Sequence, residues 1–352
     1  MTLQRILVVK LADIGDVLTA TPAIRALCET FPEARIDVLT TPAAAAAIAK
    51  SLPVGVLTAP RNLLNGRGDV RAVISLLVEL RCGQYGAVLF LHHLTLHSGV
   101  AKYRLLAAAS GAPVTVGLDN GNGGWLTHAV PDEGFGARHE VDYWLRVVGL
   151  LEASVSDTRL VAPDEDHDRR QAATLLAGLG PRPWIAIHPG SGGYSMARRW
   201  EPTRWAALAD ALASRYGAQI ILVGTPADGA EVVEAAMTRA CRNLAGLTSV
   251  PELAAVLAQC DLFLGADSGV MHLAAAAGIP VVALFGPSNH LAWGPWTPAG
   301  ESHVVRLGLP CSPCSYVGHS VGQRDGCWHR SCMADLEVQR VLDAIADSGI
   351  LK

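Results

Sequence analysis

The chain has no marked excess of charge of one sign. Its 28 Lys and Arg against 32 Asp and Glu leave a net charge of -4. Such a balance sets up no field for a polyanion, so no nucleic-acid partner is expected. It has no long apolar run either. The longest apolar region, Val270 to Phe285, contains His272, Gly278 and Pro280 and divides into a helix and a strand rather than a membrane span. No signal peptide is legible: the apolar stretch Met1 to Val9 runs straight into Lys10, Asp13 and Asp16, as a first strand and its exit loop would. These absences predict a cytoplasmic protein, at most peripheral at the inner face of the plasma membrane. Two nucleotide fingerprints are missing as well. No G-x-G-x-x-G follows a strand and no G-x-x-x-x-G-K-[ST] occurs, which argues against a dinucleotide or P-loop site.

What is present is an apolar strand, a turn and an amphipathic helix, repeated along 352 residues of which 50% are hydrophobic. The strands Arg5 to Lys10, Arg35 to Leu39, Ala87 to Leu91 and Val114 to Leu118 alternate with helices at Thr21 to Thr30, Ala43 to Lys50 and Val141 to Leu151. Pro22 is tolerated if it lies in a first helical turn. Polar residues fill 152–168, and a helix follows that ends near Gly178. Gly180, Pro181 and Pro183 then mark a junction. A second series follows: strands Trp184 to His188, Gln219 to Val223, Leu262 to Gly265 and Val281 to Phe285, with helices Thr203 to Tyr216, Asp228 to Ala240, Val250 to Gln259 and Val270 to Ala277. Strand–helix alternation predicts parallel sheets with right-handed crossovers. The fold class is therefore α/β, with two Rossmann-like doubly wound domains, 1–168 and 181–352, facing a cleft. Ligands of such sheets sit beyond the carboxyl ends of the strands, so the loops there are the places to search.

Two of these loops suit an anion. Asp267-Ser268-Gly269 opens a helix after the strand ending at Gly265, and the free N–H groups of a first turn attract negative charge. Asp267 is equally suited to capping that helix. His188-Pro189-Gly190-Ser191-Gly192-Gly193 follows another strand, with Arg198 and Arg199 soon after and Trp200 at the next helical stretch. Small residues let backbone amides curl around phosphate oxygens, and a guanidinium binds them in bidentate fashion. The bland alternative is a solvated Arg pair on a loop. Two such loops in one domain favour a diphosphate ligand. The loop after the first strand, Leu11 to Asp16, has one glycine and two carboxylates, and suits a general base better than a phosphate. Asp16 is also placed to cap a helix beginning near Val17.

Asp13-Ile14-Gly15-Asp16-Val17-Leu18 resembles the N-terminal signature of glycosyltransferase family 9, the ADP-heptose heptosyltransferases. Ile187 to Ser191 with Arg198-Arg199-Trp200, Asp267 to Leu273, and Leu284-Phe285-Gly286-Pro287-Ser288 resemble its other hallmarks, in order over nearly the whole chain. The resemblance implies the GT-B architecture, inversion at the anomeric carbon, catalysis without a metal, and a donor held mainly by the C-terminal domain. It implies Asp16 as the base and places Ser191, Gly192, Arg198 or Arg199, Thr248, Asp267, Ser268, Gly269 and His272 around a nucleotide-diphosphate sugar. Arg198 stands where the family often has lysine. Ala227, with Asp228 beside it, stands where the family commonly has a glutamate that contacts ribose. On the acceptor side, Arg61, Arg67 and Arg71 fall where the family meets anionic sugars, and His92 and His93 follow the Ala87 to Leu91 strand. The acceptor implied is a lipopolysaccharide core or another glycan, lipid-linked or protein-borne.

Eight cysteines remain to be placed. Cys28, Cys82, Cys241 and Cys260 lie in apolar segments, as small buried hydrophobes would. Cys311-x-x-Cys314 with Cys327 and Cys332 has the spacing of a four-thiolate structural zinc or iron site. The helix Glu337 to Ala346 should close the fold by packing back across the cleft. A nucleotide-sugar epimerase and a non-catalytic nucleotide-sugar-binding module share this overall pattern. An epimerase acts on donor alone, and a cleft-facing Asp16 argues against a mere binding module.

Overall fold

The computed structural model describes residues 3–351 apart from 62, 64, 65, 67, 68 and 299. The chain divides into two compact units, Met1–Val161 and Ala162–Lys352. The first holds strands β1 (Arg5–Lys10), β2 (Arg35–Thr40), β3 (Gly55–Thr58), β4 (Ala87–Phe90), β5 (Val114–Asp119) and β6 (His128–Pro131), in the order β3-β2-β1-β4-β5-β6. The second holds β7 (Trp184–His188), β8 (Gln219–Leu222), β9 (Cys241–Asn243), β10 (Leu262–Ala266), β11 (Val281–Leu284) and β12 (Ser302–Val305), in the order β12-β11-β10-β7-β8-β9. Every pairing in both sheets is parallel. Counted from each unit's own first strand, the two orders are the same. The direction of winding reverses between β1 and β4 and between β7 and β10, and at such switch points a doubly wound sheet opens a crevice. An antiparallel hairpin, β13 (Ser315–Val317) and β14 (Ser320–Gly322), follows.

Central strands are apolar throughout because both faces are covered. Ile6 and Val8 of β1 enter one core with the helices Ile14–Thr30 and Glu140–Gly149, while Leu7 and Val9 enter another with the helices Val70–Cys82 and His97–Ser110. The second unit packs Ile185, Ile187, Leu222, Leu264 and Val282 with Trp200 and Trp205, whose rings meet edge to face at 5.0 Å. The edge strands β3, β6, β9 and β12 are short and not fully buried, so they carry no apolar period to read.

Several expectations need correction. The first helix runs Ile14–Thr30, so Pro22 lies inside it rather than at its start. A mid-helix proline leaves the carbonyl four residues back without its N–H. Here the Thr21 hydroxyl donates to that carbonyl, Leu18 O, at 2.7 Å and accepts the Val161 N–H at 2.9 Å. Asp16 therefore sits inside the first turn, and Asp13 holds the N-cap position. The helix Asp166–Leu176 packs on the helix Val250–Leu257 and belongs to the second unit, which moves the junction to 161–162. Asp228 ends a short turn, Pro226–Asp228, and the helix proper is Ala230–Ala236. It stops early because the Thr238 and Arg239 N–H groups bond the Asp210 carboxylate at 2.8 and 2.9 Å. The final helix, Val338–Ser348, sinks Val341, Leu342 and Ile345 into the second unit's own core against the helix Pro202–Tyr216 and β12. Of the four scattered cysteines only Cys260 is buried. Cys82 is exposed on the last turn of its helix.

Candidate active site

In the C-terminal unit the two loops expected to hold an anion leave neighbouring strands, β7 and β10, at the switch point. His188 ties them together. Its Nδ1 lies 3.1 Å from Ser268 Oγ, and its Nε2 lies 3.3 Å from Asp228 Oδ2. With the proton on Nε2 the serine hydroxyl donates to Nδ1, and Nε2 meets Asp228 at ion-pair distance without hydrogen-bond geometry. The arrangement looks like a nucleophile triad, but Ser268 Oγ also accepts the Met271 N–H at 3.3 Å as the N-cap of the helix Gly269–Ala276. It is a brace. The cap is thus Ser268, and Asp267 is freed to pair with Arg198 at 3.0 Å.

Asp228 holds the other side. Its Oδ2 accepts the Thr225 N–H at 2.8 Å and the Thr225 hydroxyl at 2.7 Å. Burial alone would raise its carboxyl, but His188 and the bonds from Thr225 reverse that and hold it well below the usual carboxylate range. Arg199 reaches Asp228 at 3.4 Å, donates to Ala227 O at 2.9 Å and approaches Ser191 Oγ at 3.4 Å. The carboxylate next to the expected ribose-glutamate position is therefore held inside the fold, with Arg199 beside it. Gly190 is required where it lies: a Cβ there would stand 2.0 Å from Asp228 Oδ1. Gly192 takes φ +67, the left-handed region where glycine is favoured. Thr248 is half-buried after β9, just before the capped helix at Ser249, and His272 is buried on the helix Gly269–Ala276.

The sequence reading missed the brace over the β7 loop. Arg198 and Arg324 both stack on Tyr194, at 5.1 and 4.5 Å from its ring centre. Arg324 Nε donates to Tyr194 O at 2.9 Å, Ser195 Oγ donates to Arg324 O at 2.7 Å, and the hydroxyls of Tyr194 and Tyr316 meet. The cysteine-bearing segment is thereby fastened to the loop that precedes Arg198. Its four cysteines are free thiols. Cys332 is pushed up to about 11, by burial first and then by Cys314, Cys327 and Cys311, so the four feel one another. Yet among the described residues no three His, Cys, Asp or Glu side chains are grouped to hold a metal ion. Cys332 is sunk in the core, Cys311 and Cys327 are exposed, and Cys327 Sγ accepts the Arg330 N–H at 3.3 Å. The expected zinc or iron centre does not fit the residues as they are placed.

In the N-terminal unit Asp16 is half-buried in the first helical turn, next to the β1/β4 switch point. Lys10, which ends β1, is buried with its ammonium 4.0 Å from the Trp144 ring centre and donates to Leu91 O at 3.0 Å. Burial lowers its pKa, and Asp16 and Glu140 oppose that by favouring its charge. The two histidines expected to meet an acceptor turn inward instead. His92 Nε2 accepts the Leu11 N–H at 2.7 Å, its ring stacks on Tyr103, and burial pushes its pKa well below the usual value. His93 bridges Asp132 and Glu140 at 2.9 Å each, with its side chain 6% exposed. Burial would lower its pKa, but Glu140 and Asp132 outweigh that and raise it to about 9. Nonlocal pairing hid this from the sequence; the one local signal was a histidine after a buried strand. Arg61 and Arg71 are exposed, and Arg67 lies outside the described residues.

Two doubly wound parallel sheets in one chain, each with loops gathered at its switch point, give an α/β fold of the GT-B kind. The chain belongs to glycosyltransferase family 9 (heptosyltransferase), whose profile matches residues 74–323. It is 30% identical over 299 residues to lipopolysaccharide heptosyltransferase 3 of Escherichia coli K12, covering 80% of this chain and 83% of that one. Its fold matches the crystal structure of a family 9 glycosyltransferase from Veillonella parvula, with a TM-score of 0.75 at 23% identity over 99% of this chain and 98% of that one. It also matches E. coli ADP-heptose lps heptosyltransferase II, with a TM-score of 0.71 at 24% identity over 98% of each chain. No helix among the described residues is long and apolar enough to cross a membrane.

Proposed function

We propose that the chain moves a heptose from ADP-heptose to a hydroxyl of a lipopolysaccharide core, with inversion at the anomeric carbon. The observation that carries this is the joining of two amide-rich loops, after β7 and β10, by His188–Ser268 and Arg198–Asp267. Main-chain N–H groups of residues 190–193 and of the turn after Ser268 are the donors for the diphosphate. Arg198 is the cation that faces it, while Asp267, Thr248 and His272 complete the donor's surroundings. Such preorganised donors stabilise charge as it builds on the leaving group. Asp16 is the base that takes the acceptor proton as its oxygen attacks the anomeric carbon, and Lys10 is among the charges it interacts with. Arg61, Arg67 and Arg71 are the acceptor's cations. No cofactor enters the scheme. The relatives' names supply the sugar and the acceptor, and the lipid-borne acceptor makes the protein peripheral to a membrane.

The test is incubation with ADP-heptose and a heptose-deficient lipopolysaccharide core, reading ADP release and the new linkage by NMR. Release that depends on acceptor, with inverted configuration, supports the proposal. Conversion of donor without acceptor would instead indicate an epimerase.

A further inference from the structure

The helix Val70–Cys82 has two apolar faces. Leu76 and Leu80 point into the core under the first sheet. Val70, Ile74 and Val78, spaced four apart on the outer side, are 66, 54 and 55% exposed. The helix His97–Ser110 packs beside it and repeats the division. Tyr103 and Leu106 join the same core, while Leu105 and the preceding Leu96 are 44 and 59% exposed. Both helices cover one face of the sheet, so their outer sides form one surface. That surface is basic although the chain is acidic overall: the two helices with their N-cap residues carry Arg71, Arg81, Lys102 and Arg104 against Asp69 and Glu79. A soluble helix rarely leaves large side chains at i, i+4 and i+8 in water. An apolar stripe edged with arginine is the pattern of a helix lying in the interface of an anionic membrane.

We propose that this face, centred on Val70, Ile74, Val78 and Leu105, docks on an anionic lipid surface. It rests on the reading of the acceptor as a membrane-held glycolipid and says how the enzyme meets it. Residues with no place in the donor or acceptor contacts enter the lipid, and the flanking cations set the preference for acidic headgroups.

The test is co-sedimentation of the full chain with vesicles. Binding to phosphatidylglycerol–phosphatidylethanolamine vesicles, loss in high salt, and little binding to phosphatidylcholine are expected. The double variant Ile74→Ser, Val78→Ser should bind at least about tenfold more weakly, melt as the wild type does, and turn over a delipidated core oligosaccharide unchanged. Wild type that stays in the supernatant with acidic vesicles, or a variant that binds as well, overturns the proposal. So does a dimer dissolved by the same substitutions, which would give the stripe to a second copy. Wild type that binds vesicles but is inactive on the soluble oligosaccharide would sink the acceptor assignment and leave the docking face standing.

Discussion

Deprotonating His93 should loosen the N-terminal unit. Its imidazolium lies 2.9 Å from both Asp132 and Glu140 and is held to about 9 against an ordinary 6.5. A folded-state value above the unfolded one means the stabilisation is complete below about pH 6.5 and disappears as pH rises through about 9. At 1.36 kcal/mol per unit, the difference is about 3 kcal/mol. For a unit of this size that is a fall in Tm of roughly 6–12 °C. The rings of Phe135, Tyr143 and Trp144 pack on His93 and do not offset this, since Tyr143 is itself raised to about 12. Lys10 pulls the other way: burial lowers its pKa, so its contribution to stability rises with pH. His93→Gln separates the two, because it removes the imidazolium and leaves Lys10. Thermal melts from about pH 6 to about pH 10 should show the wild type falling toward the variant, which starts about 3 kcal/mol lower. Curves that run parallel across the range would refute the argument.

Other consequences follow from single contacts. Asp16→Ala should cut transfer on the order of a hundredfold or more while donor still binds by titration; unchanged turnover removes Asp16 from the mechanism. Arg198→Ala should raise the KM for donor and also cost about 1–3 kcal/mol of stability, since it leaves buried Asp267 without its 3.0 Å partner, whereas Arg199→Ala, which strips Asp228 and Ala227 O of a partner, should cost a similar amount with the donor KM unchanged; a KM effect at Arg199 and none at Arg198 would exchange their roles. Thr21→Val leaves the Leu18 carbonyl and the Val161 N–H unpaired, and denaturant melts should show a loss of about 1–3 kcal/mol or more.

Much of this architecture was legible because parallel strands buried on both faces must be apolar. The strand Trp184–His188 was read to the residue, and the helix Thr203 to Tyr216 missed its start by one. Edge strands failed that test, since β6 is exposed at three of its four residues. The first helix was cut short because its internal proline is rescued by a hydroxyl, Thr21, whose contact the pattern does not display. Asp267 read as a ligand carboxylate or a helix cap, and Asp228 as the neighbour of a position where the family commonly has a glutamate. One pairs with Arg198, while the other is a structural anchor bound by Thr225, His188 and Arg199. The loops themselves stand out by composition, but their adjacency depends on β7 lying beside β10, and strand order is a tertiary fact. Spacing suggested a four-thiolate centre, yet among the described residues no three ligating side chains are grouped to hold a metal ion.

The central claim is that the main-chain amides after β7 and β10, together with Arg198, hold the donor's diphosphate. A crystal structure of the protein with ADP-heptose tests it directly. The account predicts phosphate oxygens within hydrogen-bond distance of the 190–193 and 268–271 amides, with Arg199 still on Asp228. A diphosphate bound away from both loops, or held by Arg199 with Arg198 left on Asp267, would contradict it.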